Sequence, residues 1–188
     1  DSILERDTLL HLALPFFFDP RVVVTGGFVR PANGCVIERG LVQSTALPRS
    51  HLARFQVVEY LRGMLAGRMG WNHLDSLFIV SGALGMFSRD AVMDVGGYRT
   101  DTLGEDMELV MRLQRWADRH GHRRAVRFTA SAVAWTEVPE TARVLERQRT
   151  RWHQGLAESL WLNRELVTGQ HFAPAHGVAF GSQVFVEL

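Results

Sequence analysis

The chain has 188 residues, 46% of them hydrophobic and 22% charged, the composition of a folded globular domain large enough to bury a substantial core. Its formal net charge is +1, so no overall field draws it to nucleic acid. All 21 Lys/Arg positions are arginine, which excludes a Schiff-base lysine and the lysine of a phosphate-binding P-loop. Cys35 is the single cysteine, which rules out an internal disulfide and a cysteine-built zinc cluster and fits a reducing compartment. The eight histidines are scattered, without the spacing of a zinc protease. The chain starts at Asp1-Ser2 without methionine, carries no signal peptide and stops at Glu187-Leu188, so an internal fragment of a longer protein is expected.

In chain order, residues 2–18 carry apolar positions at helical spacing, with Ser2 as N-cap and Pro15 and Asp19-Pro20 as the stop. Val22-Val23-Val24-Thr25 reads as a buried strand broken by Gly26-Gly27. Residues 36–42 suggest a second short strand. From His51 to about Met69 the spacing of Leu52, Phe55, Glu59, Arg62 and Leu65 predicts one helix. Arg54, Arg62 and Arg68 with Phe55, Leu61 and Trp71 would suit a membrane surface, and a packed solvated helix is the equal alternative.

Leu77-Phe78-Ile79-Val80 reads as a strand entering Ser81-Gly82-Ala83-Leu84-Gly85, whose small residues allow close approach of backbone or ligand. Residues 89–95 form a short helix closed by Gly96-Gly97-Tyr98. The clearest helix runs from Glu105 to about His120, with Leu109, Leu113 and Trp116 as its apolar stripe and Glu108 positioned to pair with Arg112. Residues 125–135 alternate as a strand, and Pro139 and Thr141 open a second long helix. Strands alternating with helices predict an α/β layered fold. The apolar run 177–186 is too short to cross a bilayer, which takes about 20 residues, and would open a span that continues beyond it.

Two stretches carry the chemistry. Gly104-Glu105-Asp106 places adjacent carboxylates in a helix first turn, where the positive end of the helix dipole favours them. A short Asp at a loop–helix junction can project into a cleft and take a proton. Isolated first-turn acids are common, so the pair gains meaning only from its neighbours. About forty residues later, Gln148, Arg151 and Trp152 fall at i, i+3 and i+4 on one helix face. They offer an amide for sugar hydroxyls, a rigid fork for phosphate oxygens and a flat apolar ring. An ordinary Arg-rich helix with a buried Trp is the plain alternative. Arg143, Arg147 and Arg149 read as solvated charges or lipid-headgroup contacts. Asp1 by itself carries no chemistry.

The order Asp-Ser-Ile-Leu, Val-Ser-Gly-Ala-Leu-Gly, Val-Gly-Gly-Tyr, Gly-Glu-Asp-Met-Glu-Leu, Glu-Val-Pro-Glu-Thr and Gln-Arg-Thr-Arg-Trp resembles the membrane-integrated family 2 glycosyltransferases, among them cellulose, hyaluronan and poly-N-acetylglucosamine synthases. The resemblance implies a GT-A fold represented by its C-terminal half over residues 1–165, with 166–188 as an interfacial segment leading to a transmembrane region. It implies that Asp1 matches the last Asp of a metal-binding Asp-x-Asp that holds Mg²⁺ or Mn²⁺. Asp106 matches the catalytic base, with Glu105 beside it. Gln148, Arg151 and Trp152 match a Gln-x-x-Arg-Trp motif near the diphosphate and acceptor. Ser81, Gly82 and Ala83 match the loop that borders the acceptor. Gly104 departs from the Thr that many relatives carry.

The function implied is inverting transfer of a sugar from a nucleotide-sugar donor, UDP-linked by expectation, to a glycan or lipid-linked hydroxyl acceptor, building a polysaccharide at the cytoplasmic face of the plasma membrane. Membrane lipids are an expected partner and nucleic acid is not. A catalytically silent relative that binds nucleotide or glycan is one alternative, and an Arg-rich nucleic-acid module is another.

Overall fold

The computed structural model describes residues 2–122 and 125–164. Asp1 and the segment 165–188, with the expected interfacial and membrane-entering stretch, lie outside the described residues. No helix among the described residues is long and apolar enough to cross a membrane.

A four-stranded mixed sheet in the order β1-β6-β2-β5 organises the chain. Its centre is the parallel pair β2 (Val24–Pro31) and β6 (Val126–Thr136), flanked by antiparallel β1 (Ile3–Leu4) on β6 and β5 (Gly85–Phe87) on β2. The parallel pair joins residues about a hundred positions apart, as expected of strands linked through helical crossovers. The register along β2 and β6 shifts between Gly27 and Phe28, where a bulge in β6 separates the partners Thr129 and Val133.

Helix α1 (Thr8–Phe18) is pinned to both central strands through buried hydroxyls. Thr8 Oγ1 donates to Val133 O at 2.7 Å and Thr25 Oγ1 donates to Leu12 O at 2.8 Å. Ile3 and Leu4 belong to β1 instead of this helix, because their backbone completes the sheet against Trp135 and Ala134. Ser2 is therefore not an N-cap, and Asp7 occupies that position. Pro15 sits inside the helix, which runs on to Phe18 before Asp19-Pro20 stops it.

Gly26 and Gly27 do not break β2 but admit neighbours to it. A Cβ at Gly26 would lie 2.7 Å from Val80 Cγ1, and one at Gly27 would lie 2.4 Å from Leu84 Cδ2 and 2.5 Å from Ala132 O. Leu77, Phe78 and Val80 are buried but form no strand, and Leu77 and Val80 pack into the core cluster beside β2. The stretch 36–42 holds part of a hairpin. Strands β3 (Val36–Glu38) and β4 (Leu41–Ser44) join through Arg39 and Gly40 at positive φ of 53° and 75°.

The expected helix from His51 divides in three: α2 (His51–Glu59), a π-helical segment Tyr60–Gly67, and α3 (Arg68–His73). Helix α4 (Arg89–Asp94) ends at Gly96 and Gly97, whose φ of 87° and 74° a turn of this kind requires. Helices α5 (Glu105–Arg119) and α6 (Ala142–Leu162) follow the sequence expectation closely. Val24, Val80, Leu109, Leu113 and Val126 close one core cluster, and Leu12, Val29, Tyr60 and Ala134 a second.

Glu108 and Arg112 pair at 2.6 Å, and Glu108 is only 2% exposed. The Arg112 guanidinium also donates to Val95 O and, at 2.8 Å, to Gly97 O, so α5 clamps the turn that ends α4. Removing one partner strands the other's charge in the interior. Arg112→Ala should therefore lower stability by about 3 kcal/mol, read as a drop in the chemical-denaturation midpoint. Gly27→Ala should cost about 1–3 kcal/mol through overpacking against the Ala132 carbonyl.

Candidate active site

Asp106 stands in the first turn of α5 and is half-buried. Its Oδ1 accepts from its neighbour Met107 N at 2.9 Å, and its Oδ2 accepts from Gly82 N at 2.8 Å. The second bond spans 24 positions and ties the small-residue loop to the helix start. It depends on glycine, because a Cβ at position 82 would lie 2.8 Å from that same Oδ2. The carboxylate is thus fixed in direction, with lone pairs left to accept a proton. Glu105 beside it is exposed, and both line one cavity of about 1110 Å³. Tyr98 approaches the pair. Its hydroxyl is pushed above the ordinary tyrosine range by partial burial first, then by the negative charges of Asp106 and Glu105.

The opposite wall comes from α6. Gln148, Arg151 and Trp152 all line the cavity, as do Ser81, Gly82 and Ala83. The sequence expectation therefore brings eight residues to one space. Gln148 Oε1 is buried and accepts no hydrogen bond among the described residues. Arg151 is exposed and enters no ion pair among the described residues. Arg149 is neither solvated nor free for lipid. Its Nη2 donates to Glu59 Oε2 at 2.7 Å, and its guanidinium carbon lies 4.6 Å from the Trp152 ring centroid.

Two glycines set the distance between the walls. A Cβ at Gly104 would lie 2.6 Å from Gly155 O, and a Cβ at Gly155 would lie 2.8 Å from Gly104 Cα. The departure from Thr at position 104 thus has a local reason here: α5 begins in backbone contact with α6. Ser159 Oγ donates to Gly104 O at 3.2 Å across the same contact. Glu158 completes it, with Oε2 accepting from Leu103 N and from Thr102 Oγ1, each at 2.9 Å. These donors, with Gln154, hold the Glu158 carboxyl below the usual carboxylate range, the Leu103 amide contributing most. No local pattern marks Glu158, since its loop partners lie 55 and 56 positions away.

The six residues that would suit a membrane surface or a packed, solvated helix fall in different surroundings. Arg62, Arg68 and Trp71 line the cavity, whereas Phe55 and Leu61 are exposed. Arg54 donates to Pro48 O at 2.6 Å. The six residues do not share one face.

Among the described residues no group of three or more His, Cys, Asp or Glu could hold a metal ion. The expected ligand Asp1 lies outside them. The residues placed here therefore do not by themselves build a cation site.

The pattern of Glycosyl transferase family group 2 matches residues 1–186. Poly-beta-1,6-N-acetyl-D-glucosamine synthase of Staphylococcus aureus strain COL is 28% identical over 160 residues, covering 85% of this chain and 34% of that protein. The synthase of the same name from Staphylococcus epidermidis RP62A is 26% identical over the same length and shares. The chain thus spans about a third of the length of these curated relatives. Among solved structures, the mannosyltransferase PcManGT from Pyrobaculum calidifontis, in complex with GDP-Man and Mn²⁺, superposes with a TM-score of 0.55 at 18% identity, covering 96% of this chain and 41% of that one. That likeness identifies the fold as GT-A.

Gly82→Ala should lower turnover tenfold or more with an unchanged melting temperature, because the added methyl displaces the Asp106 carboxylate from an exposed loop. Glu158 makes a pH-dependent contribution. Its folded-state pKa is depressed, so its stabilisation is present above the ordinary glutamate range and fades as pH falls through the lowered value. Acid titration of stability should show this loss in the wild type, and Glu158→Gln should flatten that part of the profile.

Proposed function

The chain belongs to family group 2 of the glycosyltransferases, and from that membership and the cavity we propose that it transfers a sugar from a nucleotide-sugar donor to a hydroxyl acceptor with inversion. The observation that carries this reading is the convergence of Ser81, Gly82, Ala83, Glu105, Asp106, Gln148, Arg151 and Trp152 on one 1110 Å³ cavity, from three separate parts of the chain. Asp106, held by two backbone amides, deprotonates the acceptor hydroxyl as it attacks the anomeric carbon in line. The bond from that carbon to the diphosphate oxygen breaks as the new glycosidic bond forms, so one displacement inverts the centre. Arg151 meets the diphosphate and opposes the charge that grows on it. Gln148 lines the same cavity and offers its amide to sugar hydroxyls, and Trp152 presents a flat face to the acceptor. Glu105 adds negative charge beside the base.

The donor nucleotide is proposed as UDP on the likeness to the N-acetylglucosamine polymer synthases, with GDP as the alternative that the complex of the structural neighbour raises. A divalent cation belongs to the same proposal, on the Mn²⁺ in the neighbour's complex, with Asp1 as its ligand from this chain. Polysaccharide as product is proposed on the name of the same relatives; membrane lipids as partners and the cytoplasmic face of the plasma membrane as location are proposed on the sequence resemblance alone.

The test is nucleotide release from membranes carrying the full-length parent protein, supplied with a panel of UDP- and GDP-sugars and Mg²⁺ or Mn²⁺. Asp106→Asn should cut transfer by a factor of about 10³ or more while nucleotide binding stays near wild type. Near-normal turnover in that variant would remove Asp106 as the base. Nucleotide binding without release from any donor would favour a silent relative.

A further inference from the structure

The π-helical segment is a wall of the cavity. The wall runs from the end of α2 through this segment into α3: Glu59, Gly63, Gly67 and Trp71 line the cavity at every fourth position, Tyr60, Met64 and Arg68 follow the same interval, and Arg62 lines it as well. In an α-helix with 3.6 residues per turn, a four-residue repeat drifts by about 40° each time and leaves one face after three repeats. Widening the turn over Tyr60–Gly67 keeps these positions on one side. The departure from α-geometry therefore serves the cavity.

Two features of this wall point to its occupant. A Cβ at Gly63 meets no atom within 4 Å, although Gly63 lines the cavity, so the missing side chain leaves space and not a backbone contact. The wall is also joined to the Gln148–Trp152 face through the Glu59–Arg149 pair at 2.7 Å, with Arg149 against Trp152. Trp71 on this side and Trp152 on the other give two indoles lining one space with the proposed base. Indole faces suit the apolar faces of sugar rings. At 1110 Å³ the cavity exceeds the roughly 300–1,000 Å³ that encloses a drug-sized ligand, so it has room for more than one ring.

We infer that the π-helical segment forms an acceptor subsite that holds a glycan of several sugars, and that Gly63 sets its width. This rests on the glycosyl-transfer reading. It makes Gly63 a specificity-determining position whose enlargement closes the subsite to longer acceptors and leaves the donor site open.

The experiment uses the full-length parent protein with Gly63→Ala, Gly63→Leu and Gly63→Trp. Acceptors are oligosaccharides of one to five N-acetylglucosamine or mannose units, paired with the nucleotide sugar that wild type turns over. The expected result is transfer to the pentasaccharide falling in order of side-chain size, at least tenfold for Trp. Its KM should rise more than that of the monosaccharide, with nucleotide binding within about twofold of wild type. Should Gly63→Trp melt well below wild type, Gly63→Leu carries the comparison. Unchanged pentasaccharide transfer in both Leu and Trp variants overturns the subsite. Loss of nucleotide binding in a folded variant overturns it too, by assigning the wall to the donor. Failure of the transfer reading would show separately, as a wild type that releases nucleotide from no donor.

Discussion

The backbone contact between Gly104 and Gly155 is the constraint on which the candidate site depends. Only hydrogen on both Cα atoms lets the start of α5 lie against α6 at this distance. Ser159 and Glu158 then bond the loop 102–104 from the same helix. The consequence is mechanical. The helix that carries the proposed base and the helix that carries Gln148, Arg151 and Trp152 form one unit, so their separation is set by packing and not by a mobile loop. Reactions that need groups held to a fraction of an ångström require such support from outside the reacting groups.

A second coupling closes the other side of the cavity. Arg149 could have been one more exposed arginine on a helix that also carries Arg143 and Arg147. It reaches Glu59 and covers Trp152 instead, so it orients one wall against the other. A half-buried pair of this kind adds little to stability because desolvation offsets much of the attraction. Its effect is on position: one guanidinium links the indole to Glu59, the last residue of α2 before the π-helical segment.

Legibility in the sequence follows how local the determinants are. Helices α5 and α6, strand β6 and the Gly96-Gly97 turn were readable because their periodicity, caps and stops lie within a few residues of each other. Local spacing reads the first segment as helix throughout, whereas Ile3 and Leu4 pair with Trp135 and Ala134, more than a hundred positions away, and no local pattern reports a sheet partner. Gly26-Gly27 read as a break for the same reason: what demands glycine there is Val80, Leu84 and Ala132. The stretch from His51 reads as one uniform α-helix because apolar spacing does not distinguish a widened turn, and that spacing leaves Arg62, Arg68 and Trp71 open between a membrane surface and a packed, solvated helix.

Residue chemistry and order were in the sequence itself. The adjacent acids, the amide, guanidinium and indole on one helical face, and the small-residue loop are each short-range patterns, and together they carried the family and the class of reaction. Tertiary structure decided which of these groups share a space, that Gly82 fixes the Asp106 carboxylate, that Glu158 and Arg149 act as braces, and that the segment 60–67 turns toward the cavity. The physical reason is the same throughout. Side-chain periodicity is encoded within a few residues, whereas close approach and hydrogen-bond partnership between distant segments exist only once the chain has packed.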